Sequence, residues 1–268
     1  MPTILKSRNE IERMRHTGRI GYEILQKMKQ AAVAGVTTGE LDELAASELA
    51  KAGGIGMSRN FPTYKEGEGF PGHTCISVND EVVHGIPGKR VLRDGDIVTL
   101  DMALKVDGYC SDTAITVPVG TVSPKVQKLL DVTKQTLDLA LKHVVPNKKW
   151  TDIARLMQYH VERNGFSVVR EFVGHGVGRT MHEDPKVPNF VTQEHLRGDF
   201  KLRVGMTIAI EPMVVMGRRD VDLLEDGWTV VTHDGLPAAH FEHTIAVTET
   251  GADVLSSGMG VPPMLEKI

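Results

Sequence analysis

The sequence is poor in cysteine and has no long apolar run. Its two cysteines, Cys75 and Cys110, form neither a CxxC pair nor a disulfide framework. Thiolate metal sites and cross-linked secreted scaffolds are therefore excluded. No apolar stretch reaches the roughly 18 residues that a membrane-spanning helix requires, and charged residues between Lys6 and Arg15 leave no secretory signal core. We expect a soluble cytoplasmic protein.

An excess of charge of one sign is also missing. Lys and Arg number 31 and Asp and Glu number 35, which gives a formal net charge of −4. Nucleic acids and anionic membranes attract basic surfaces, and the sequence has no basic run, so neither partner is expected. The 41% hydrophobic and 25% charged residues are typical of a globular protein.

Helix and strand signals alternate along the chain. Ser7 with Glu10, and Thr37 with Glu40, fit capping boxes that open amphipathic helices. Further helices are predicted over about 125–143 and 151–163, and a loop over 61–72. Strands are predicted over 75–78 and 81–84, and two longer strands over 97–104 and 109–119 predict a hairpin closed by Asp107-Gly108.

The order of two helices followed by strands occurs twice, which indicates an internal repeat. Asp101 and Glu211 each lie six residues after a glycine, and Asp112 and Glu242 are each followed by Ile and Val at offsets of three and five. Two unrelated α+β segments that share turn glycines are the alternative. The common order favours a single domain over 1–268 with related halves over roughly 7–120 and 124–250.

If the halves face each other about a pseudo-twofold axis, Asp101, Asp112, Glu211 and Glu242 meet between them. Apolar residues before Asp101 and Glu211 place both at the ends of buried strands. Burying one carboxylate costs roughly several kcal/mol, and like charges in contact force protonation. Two divalent ions would balance the four negative charges. If some of these residues lie in exposed turns, no metal is needed.

His175 is a fifth candidate ligand, flanked by Gly174 and Gly176, which let the backbone approach a buried site. An isolated histidine in such a segment is more often structural or solvated, but four converging carboxylates favour a ligand. The donor set suits Mn²⁺, Fe²⁺ or Co²⁺, is compatible with Zn²⁺ and disfavours copper. Ion pairs of this kind activate water and polarise a carbonyl, so the predicted chemistry is hydrolysis of an amide or ester.

Several segments resemble type I methionine aminopeptidases of the short bacterial form. They follow the family's order through nearly the whole chain: 75–87, the Asp101/Asp112 hairpin, 174–178 with His182, 210–213 and 241–244. The resemblance implies an α+β pita-bread (creatinase/aminopeptidase) fold, with duplicated halves and antiparallel sheets around a central metal site. The implied activity is removal of the initiator methionine from nascent proteins and peptides with a small second residue, by hydroxide activated by two divalent ions.

The resemblance also implies residue roles. It makes Asp101 a ligand of one ion, His175 and Glu211 ligands of the other, and Asp112 and Glu242 bridges between them. Glu211 would also accept a proton from the attacking water and pass it to the leaving amine. His182 would donate to the substrate carbonyl and stabilise the oxyanion, and His84 would contact the substrate near the scissile peptide. Packed or solvated histidines are the alternatives.

Selectivity for methionine requires an apolar pocket, and aromatic rings make favourable contacts with a thioether. Candidates for this pocket are Cys75, Phe70, Tyr64, Phe61 and Trp228. Trp228 is favoured because it lies at the family position, with core packing as the alternative. Met181 stands where the bacterial family often has an aromatic residue, and the loop over 61–73 is longer than usual, so both could reshape the pocket.

Two other interpretations stay open. Exopeptidases specific for Xaa-Pro share the fold and the five ligands but usually carry a large additional N-terminal domain, for which 268 residues leave little room. Non-catalytic pita-bread binding modules typically lose metal ligands, whereas all five candidates are present here. The resemblance further implies a monomer that meets N-terminal Met peptides and nascent chains, with transient association with the ribosome.

Overall fold

The structure is a computed structural model that describes residues 3–62 and 69–258. Within these ranges the helices are α1 (Arg8–Ala31), α2 (Thr38–Lys51), α3 (Pro124–His143), α4 (Trp150–Arg163) and α5 (Gln193–Arg197). The strands of the same ranges are β1 (Ile55–Gly56), β2 (Cys75–Val78), β3 (Glu81–Val83), β4 (Ile97–Asp101), β5 (Leu104–Val106), β6 (Tyr109–Ser111), β7 (Thr113–Pro118), β8 (Ser167–Val168), β9 (Gly174–Gly176), β10 (Glu183–Val187), β11 (Thr207–Ile210), β12 (Met213–Val215), β13 (Val221–Leu223), β14 (Val230–Thr232), β15 (Ala238–His240), β16 (Glu242–Val247) and β17 (Ala252–Val254).

Side-chain caps set the start of the first two helices, as predicted. The Glu10 amide donates to Ser7 Oγ at 3.4 Å, and the Ser7 amide donates to Glu10 Oε2 at 3.0 Å. Thr37 and Glu40 form the same reciprocal pair at the start of α2. Both capping boxes are confirmed, and each satisfies two amides that the helix leaves unpaired. No helix of the described residues is long and apolar enough to cross a membrane.

The main sheet joins strands from both parts of the chain. In the described residues it has eight strands, seven of them in the order β10-β9-β11-β16-β7-β4-β2, with β17 paired to β16. Each of its neighbouring strand pairs is antiparallel. Because β16 pairs with β11 on one side and with β7 on the other, the carboxylates predicted at these strands share one sheet.

Two helix pairs cover this sheet with separate apolar cores. Leu25 of α1 and Leu41 of α2 belong to a buried cluster with Leu100 of β4. Leu137 of α3 and Ile153 of α4 belong to another, which includes strands β11 and β16. The buried faces of these helices therefore hold the sheet from outside and leave the ends of its strands to form a site.

The predicted long hairpin is interrupted where its two carboxylates lie. The ladder between β4 and β7 ends at Asp101 opposite Ala114, and the ladder between β5 and β6 begins at Leu104 opposite Ser111. The prediction of continuous strands over 97–104 and 109–119 is therefore wrong in detail. Tertiary contact explains the break: the Asp112 amide donates to Thr244 Oγ1 at 2.8 Å, and the same hydroxyl donates to the Asp112 carbonyl.

Candidate metal centre and active site

Strand register brings acidic residues to one level of the main sheet. Asp101 and Glu242 are both paired with Ala114, on opposite sides of β7. Asp101 ends β4 and Glu242 begins β16, while Glu211 directly follows β11. The sheet thus places carboxylates from distant parts of the chain beside one another.

The candidate ligands line one cavity of about 480 Å³. Asp112, His175 and Glu242 are at most 9% exposed, and one donor atom from each lies within 4.8 Å of the other two. Asp101 and Glu211 line the same cavity. All five residues that the sequence suggested as metal ligands are therefore brought together, and their roles as ligands remain a prediction.

The strand itself orients the imidazole of His175. Its Nδ1 lies 2.8 Å from the Gly176 carbonyl oxygen, which can only accept, so Nδ1 carries the proton. The other ring nitrogen, Nε2, then faces the carboxylates, 3.7 Å from Asp112 Oδ2 and 3.7 Å from Glu211 Oε1, and offers its lone pair when the ring is neutral. A histidine that donates from one nitrogen and offers the other is the usual arrangement of a metal ligand.

The buried negative charge perturbs every group around it. Burial raises the pKa of Asp101 and of Glu242 well above the usual range, and the charge of Asp112 adds to the effect. Burial also raises the pKa of Glu211 to about 7. For His175 burial favours the neutral ring, but the adjacent Asp112 and Glu211 outweigh it and raise the pKa to about 9. The metal-free cluster therefore holds protons on its carboxyl groups and on His175, which bound metal would release.

The residues present fit a divalent metal. Asp112 Oδ1 and Glu242 Oε1 are buried, and neither has a hydrogen-bond partner among the described residues. A buried carboxylate oxygen without a partner is costly, and a cation would satisfy both oxygens at once. Four carboxylates and one imidazole form the hard donor set that Mn²⁺, Fe²⁺ and Co²⁺ accept, with Zn²⁺ also compatible.

Two further histidines face the ligands. The ring of His182 lies 4.4 Å from that of His175, and burial together with His175 lowers the pKa of His182. His84 directly follows β3 with φ at 58°, a left-handed conformation that is strained for a residue other than glycine. Its ring packs edge-on against Phe172 at 5.4 Å, and burial lowers the pKa of His84 to about 4. Both rings are neutral at physiological pH.

Comparison with known proteins assigns the chain to a family. The model of metallopeptidase family M24 matches residues 12–249. Methionine aminopeptidase 1 of Bacillus subtilis (strain 168) is 46% identical over 94% of this chain and 98% of its own length. The chain belongs to family M24 and, within it, to the methionine aminopeptidases. The methionine aminopeptidase of Escherichia coli (strain K12) is 37% identical over 96% of this chain and 94% of its own length.

Solved structures confirm the predicted pita-bread fold. The crystal structure of methionine aminopeptidase from Rickettsia prowazekii matches with a TM-score of 0.89 and 34% identity, covering 95% of this chain and 100% of that one. The prolidase from Pyrococcus horikoshii OT3 matches with a TM-score of 0.73 at 19% identity, covering 96% of this chain and 64% of that one. The prolidase likeness shows the fold alone.

In this member of the methionine aminopeptidase family, one wall of the cavity is apolar. Phe70 is buried and meets Trp228 edge-on, with ring centroids 5.3 Å apart. Cys75 and Met181 are buried and line the same cavity. Phe61 lies beside His182 at 5.5 Å, and Tyr64 lies outside the described residues. The structure places the described candidates together, and their part in binding methionine stays a prediction.

Sequence reasoning missed His240, which also lines the cavity. Its Nε2 lies 3.8 Å from Glu242 Oε2 and 4.0 Å from Glu211 Oε2. Burial lowers the pKa of His240 to about 4. A signal was available, because His240 precedes Glu242 by two residues and alternate residues of an extended segment share a side. Phe172 and Met213, which line the cavity as well, carry no comparable signal.

The free energy of unfolding of metal-free protein is expected to fall as the pH rises from about 7 to 9. The raised pKa values of Glu211 and His175 mean that the folded chain holds more protons than the unfolded chain in this window. The buried histidines with pKa near 4, His84, His240 and His243, oppose this trend near pH 7, where an unfolded histidine is still partly protonated, and cease to matter above about pH 8. Urea midpoints at pH 7, 8 and 9 with a chelator measure the trend. Saturating Mn²⁺ should flatten it, and a chelator midpoint that rises with pH would contradict the expectation.

Proposed function

We propose that this protein removes the N-terminal methionine from peptides and nascent chains whose second residue is small, using two divalent metal ions. The observation that carries the proposal is a group of four buried or half-buried carboxylates and one imidazole in a cavity that apolar residues also line. The family of the chain supports the same activity. An exopeptidase needs both parts: polar groups at the scissile bond and a pocket for the first side chain.

The five candidate ligands divide into two sets. Asp101 would hold one ion, His175 and Glu211 the other, and Asp112 and Glu242 would bridge both. When bound, the ions lower the pKa of water and polarise the scissile carbonyl. Mn²⁺, Fe²⁺ and Co²⁺ suit these donors best, with Zn²⁺ also compatible.

Glu211 would act as the general base and then as the general acid of the reaction. In the metal-free chain burial raises its pKa to about 7, and a bound cation would favour the ionised, proton-accepting form. Its carboxylate would take the proton from the attacking water and return it to the nitrogen of the leaving amine. Glu211 would hold one ion only, so one of its oxygens would stay available for the proton.

The two histidines would act on the substrate. A neutral His182 would donate a ring N–H to the carbonyl oxygen where negative charge develops. His84 would contact the scissile peptide from the opposite wall, where Phe172 holds its ring. Burial, with the charge of Asp101, raises the pKa of Cys75 well above its usual range, so this thiol would line the pocket rather than attack.

Replacing Trp228 with leucine should lower kcat/KM for a Met-Gly peptide by roughly 10- to 100-fold, the magnitude of a lost apolar contact in a specificity pocket. The pair of Trp228 with Phe70 would hold the thioether side chain. Steady-state release of methionine measures the effect. Tyr159→Ala, which removes an exposed aromatic outside the cavity, is the control. An unchanged kcat/KM in the Trp228 variant would exclude it from the pocket.

The proposed setting is the cytoplasm. The protein would act there as a monomer on N-terminal Met peptides and nascent chains, in transient contact with the ribosome. Sedimentation at several concentrations tests the monomer, and co-sedimentation with ribosomes tests the contact.

The deciding experiment is a metal titration. Protein stripped with a chelator is titrated anaerobically with Mn²⁺, Fe²⁺ and Co²⁺ and supplied with a Met-Gly tripeptide, and free methionine is measured. Release should require metal and be absent in Glu211→Ala. A folded protein that releases methionine with no metal, or that cleaves only Xaa-Pro peptides, would contradict the proposal.

A further inference from the structure

His240 is a buried histidine whose two ring nitrogens have no hydrogen-bond partner among the described residues. It is 2% exposed and lies in the wall of the active-site cavity. Buried polar atoms are almost always paired, and an unpaired one destabilises the fold. We therefore expect the ring of His240 to have a hydrogen-bond partner in the functional enzyme.

The backbone of His240 is fixed from both sides. Its amide donates to Thr116 Oγ1 at 2.8 Å, and the same hydroxyl donates to its carbonyl oxygen at 2.8 Å. On the other side β15 pairs His240 with Met213, two residues after Glu211. These contacts leave only the side-chain torsions free, so the ring stays next to the carboxylates.

Glu211 lies between two imidazoles. Its Oε1 is 3.7 Å from Nε2 of His175, and its Oε2 is 4.0 Å from Nε2 of His240. In the proposed ligand scheme Glu211 binds one ion only, which leaves one of its oxygens away from the metal. Glu242, 3.8 Å from the same nitrogen, bridges both ions in that scheme and has no oxygen left over.

We propose that His240 is a positioning residue for Glu211: its Nε2–H donates to Oε2 and thereby turns Oε1 toward the metal. The inference rests on the proposed function of the site. A movement of about 1 Å brings the two atoms to hydrogen-bonding distance. Hydrogen bonds to the outer oxygen of a metal-binding carboxylate are the usual way in which a protein orients such a ligand.

Two variants separate the hydrogen bond from mere space filling. His240→Gln keeps an N–H donor, whereas His240→Leu removes it at similar volume. In the leucine variant we expect the affinity for Co²⁺, measured by calorimetry on metal-stripped protein, or kcat for methionine release to fall about 10- to 100-fold. KM should change little, because His240 acts through Glu211. The glutamine variant should recover most of the loss.

The visible absorption spectrum of bound Co²⁺ supplies a readout that is independent of activity. Band positions should be the same in wild type and the glutamine variant, because His240 is not a ligand in this proposal. His160→Leu is the matched control, since its buried Nε2 is also unpaired among the described residues but lies outside the cavity. The metal-free His240→Leu protein should melt no lower than wild type, because the change removes two unpaired nitrogens.

Two results would overturn the proposal. A leucine variant with the Co²⁺ affinity and kcat of wild type would show that His240 positions nothing. Equal loss in both variants together with shifted Co²⁺ bands would make His240 a metal ligand instead. If wild type binds Co²⁺ but releases no methionine, while His240→Leu still weakens that binding and His240→Gln restores it, the proposed function fails and the positioning role stands.

Discussion

Replacing Glu211 with glutamine should lower kcat for methionine release by about 10²- to 10⁴-fold, the usual contribution of a general acid–base group. Glutamine keeps the shape of the side chain but can neither accept the proton of the attacking water nor bind metal as a carboxylate. Beside a bound cation the native carboxylate is ionised and can accept that proton.

Single-turnover release of methionine from a Met-Gly tripeptide, at saturating Mn²⁺, measures this loss. Calorimetry on the same variant shows whether metal binding is lost together with proton transfer. Glu249→Gln, an exposed carboxylate far along the chain, is the matched control. A kcat within tenfold of wild type in a metal-loaded Glu211→Gln protein would remove Glu211 from the chemistry.

Replacing Lys6 with methionine should lower the free energy of unfolding by about 3 to 5 kcal/mol, as expected when one partner of a buried ion pair is removed. The Lys6 Nζ contacts Glu183 Oε2, and the two side chains are only 5% and 9% exposed. Without Lys6 the Glu183 carboxylate keeps only the donors of its own loop, among them the Arg179 amide at 3.0 Å. One buried negative charge is then left without a salt-bridge partner among the described residues.

Urea unfolding of metal-loaded protein at pH 7 measures the loss. In Lys6→Met/Glu183→Gln the charge is gone and the amide oxygen still accepts from Arg179, so most of the stability should return. Lys134→Met, whose partner Asp138 is exposed, should leave the midpoint almost unchanged. A Lys6→Met midpoint equal to that of wild type would mean that water or another group already compensates Glu183.

The Lys6–Glu183 ion pair also adjoins the segment that carries His182 in the candidate active site. Glu183 follows His182 directly, and the Cβ of a residue at Gly178 would meet both the Glu183 carboxylate and the Lys6 side chain. The segment that carries His182 therefore packs against the N-terminal segment that precedes α1. Sequence alone could not connect Lys6 with Glu183, because the two residues are 177 positions apart.

Local signals determined much of this protein before any tertiary contact was considered. The helix starts at Ser7 and Thr37 depend on hydrogen bonds between residues three positions apart. The strands that end at Asp101 and just before Glu211 depend on runs of four or five mostly apolar residues. The five candidate ligands followed from such patterns together with the family resemblance. The division into related halves over 7–120 and 124–250 stays a prediction.

Tertiary structure decided what lies beyond the reach of local pattern. The contact of Asp112 with Thr244 breaks the predicted hairpin strands. The Asp112 amide donates to the hydroxyl of Thr244, 132 residues away, instead of to the other strand of the hairpin. Register across β7 sets Asp101 level with Glu242 on the two flanking strands, and burial together with the charge of Asp112 raises the pKa of both. The missing partners of the His240 ring nitrogens, among the described residues, are likewise set by the fold. Distance, burial and missing partners are properties of the folded chain, so no spacing rule could supply them.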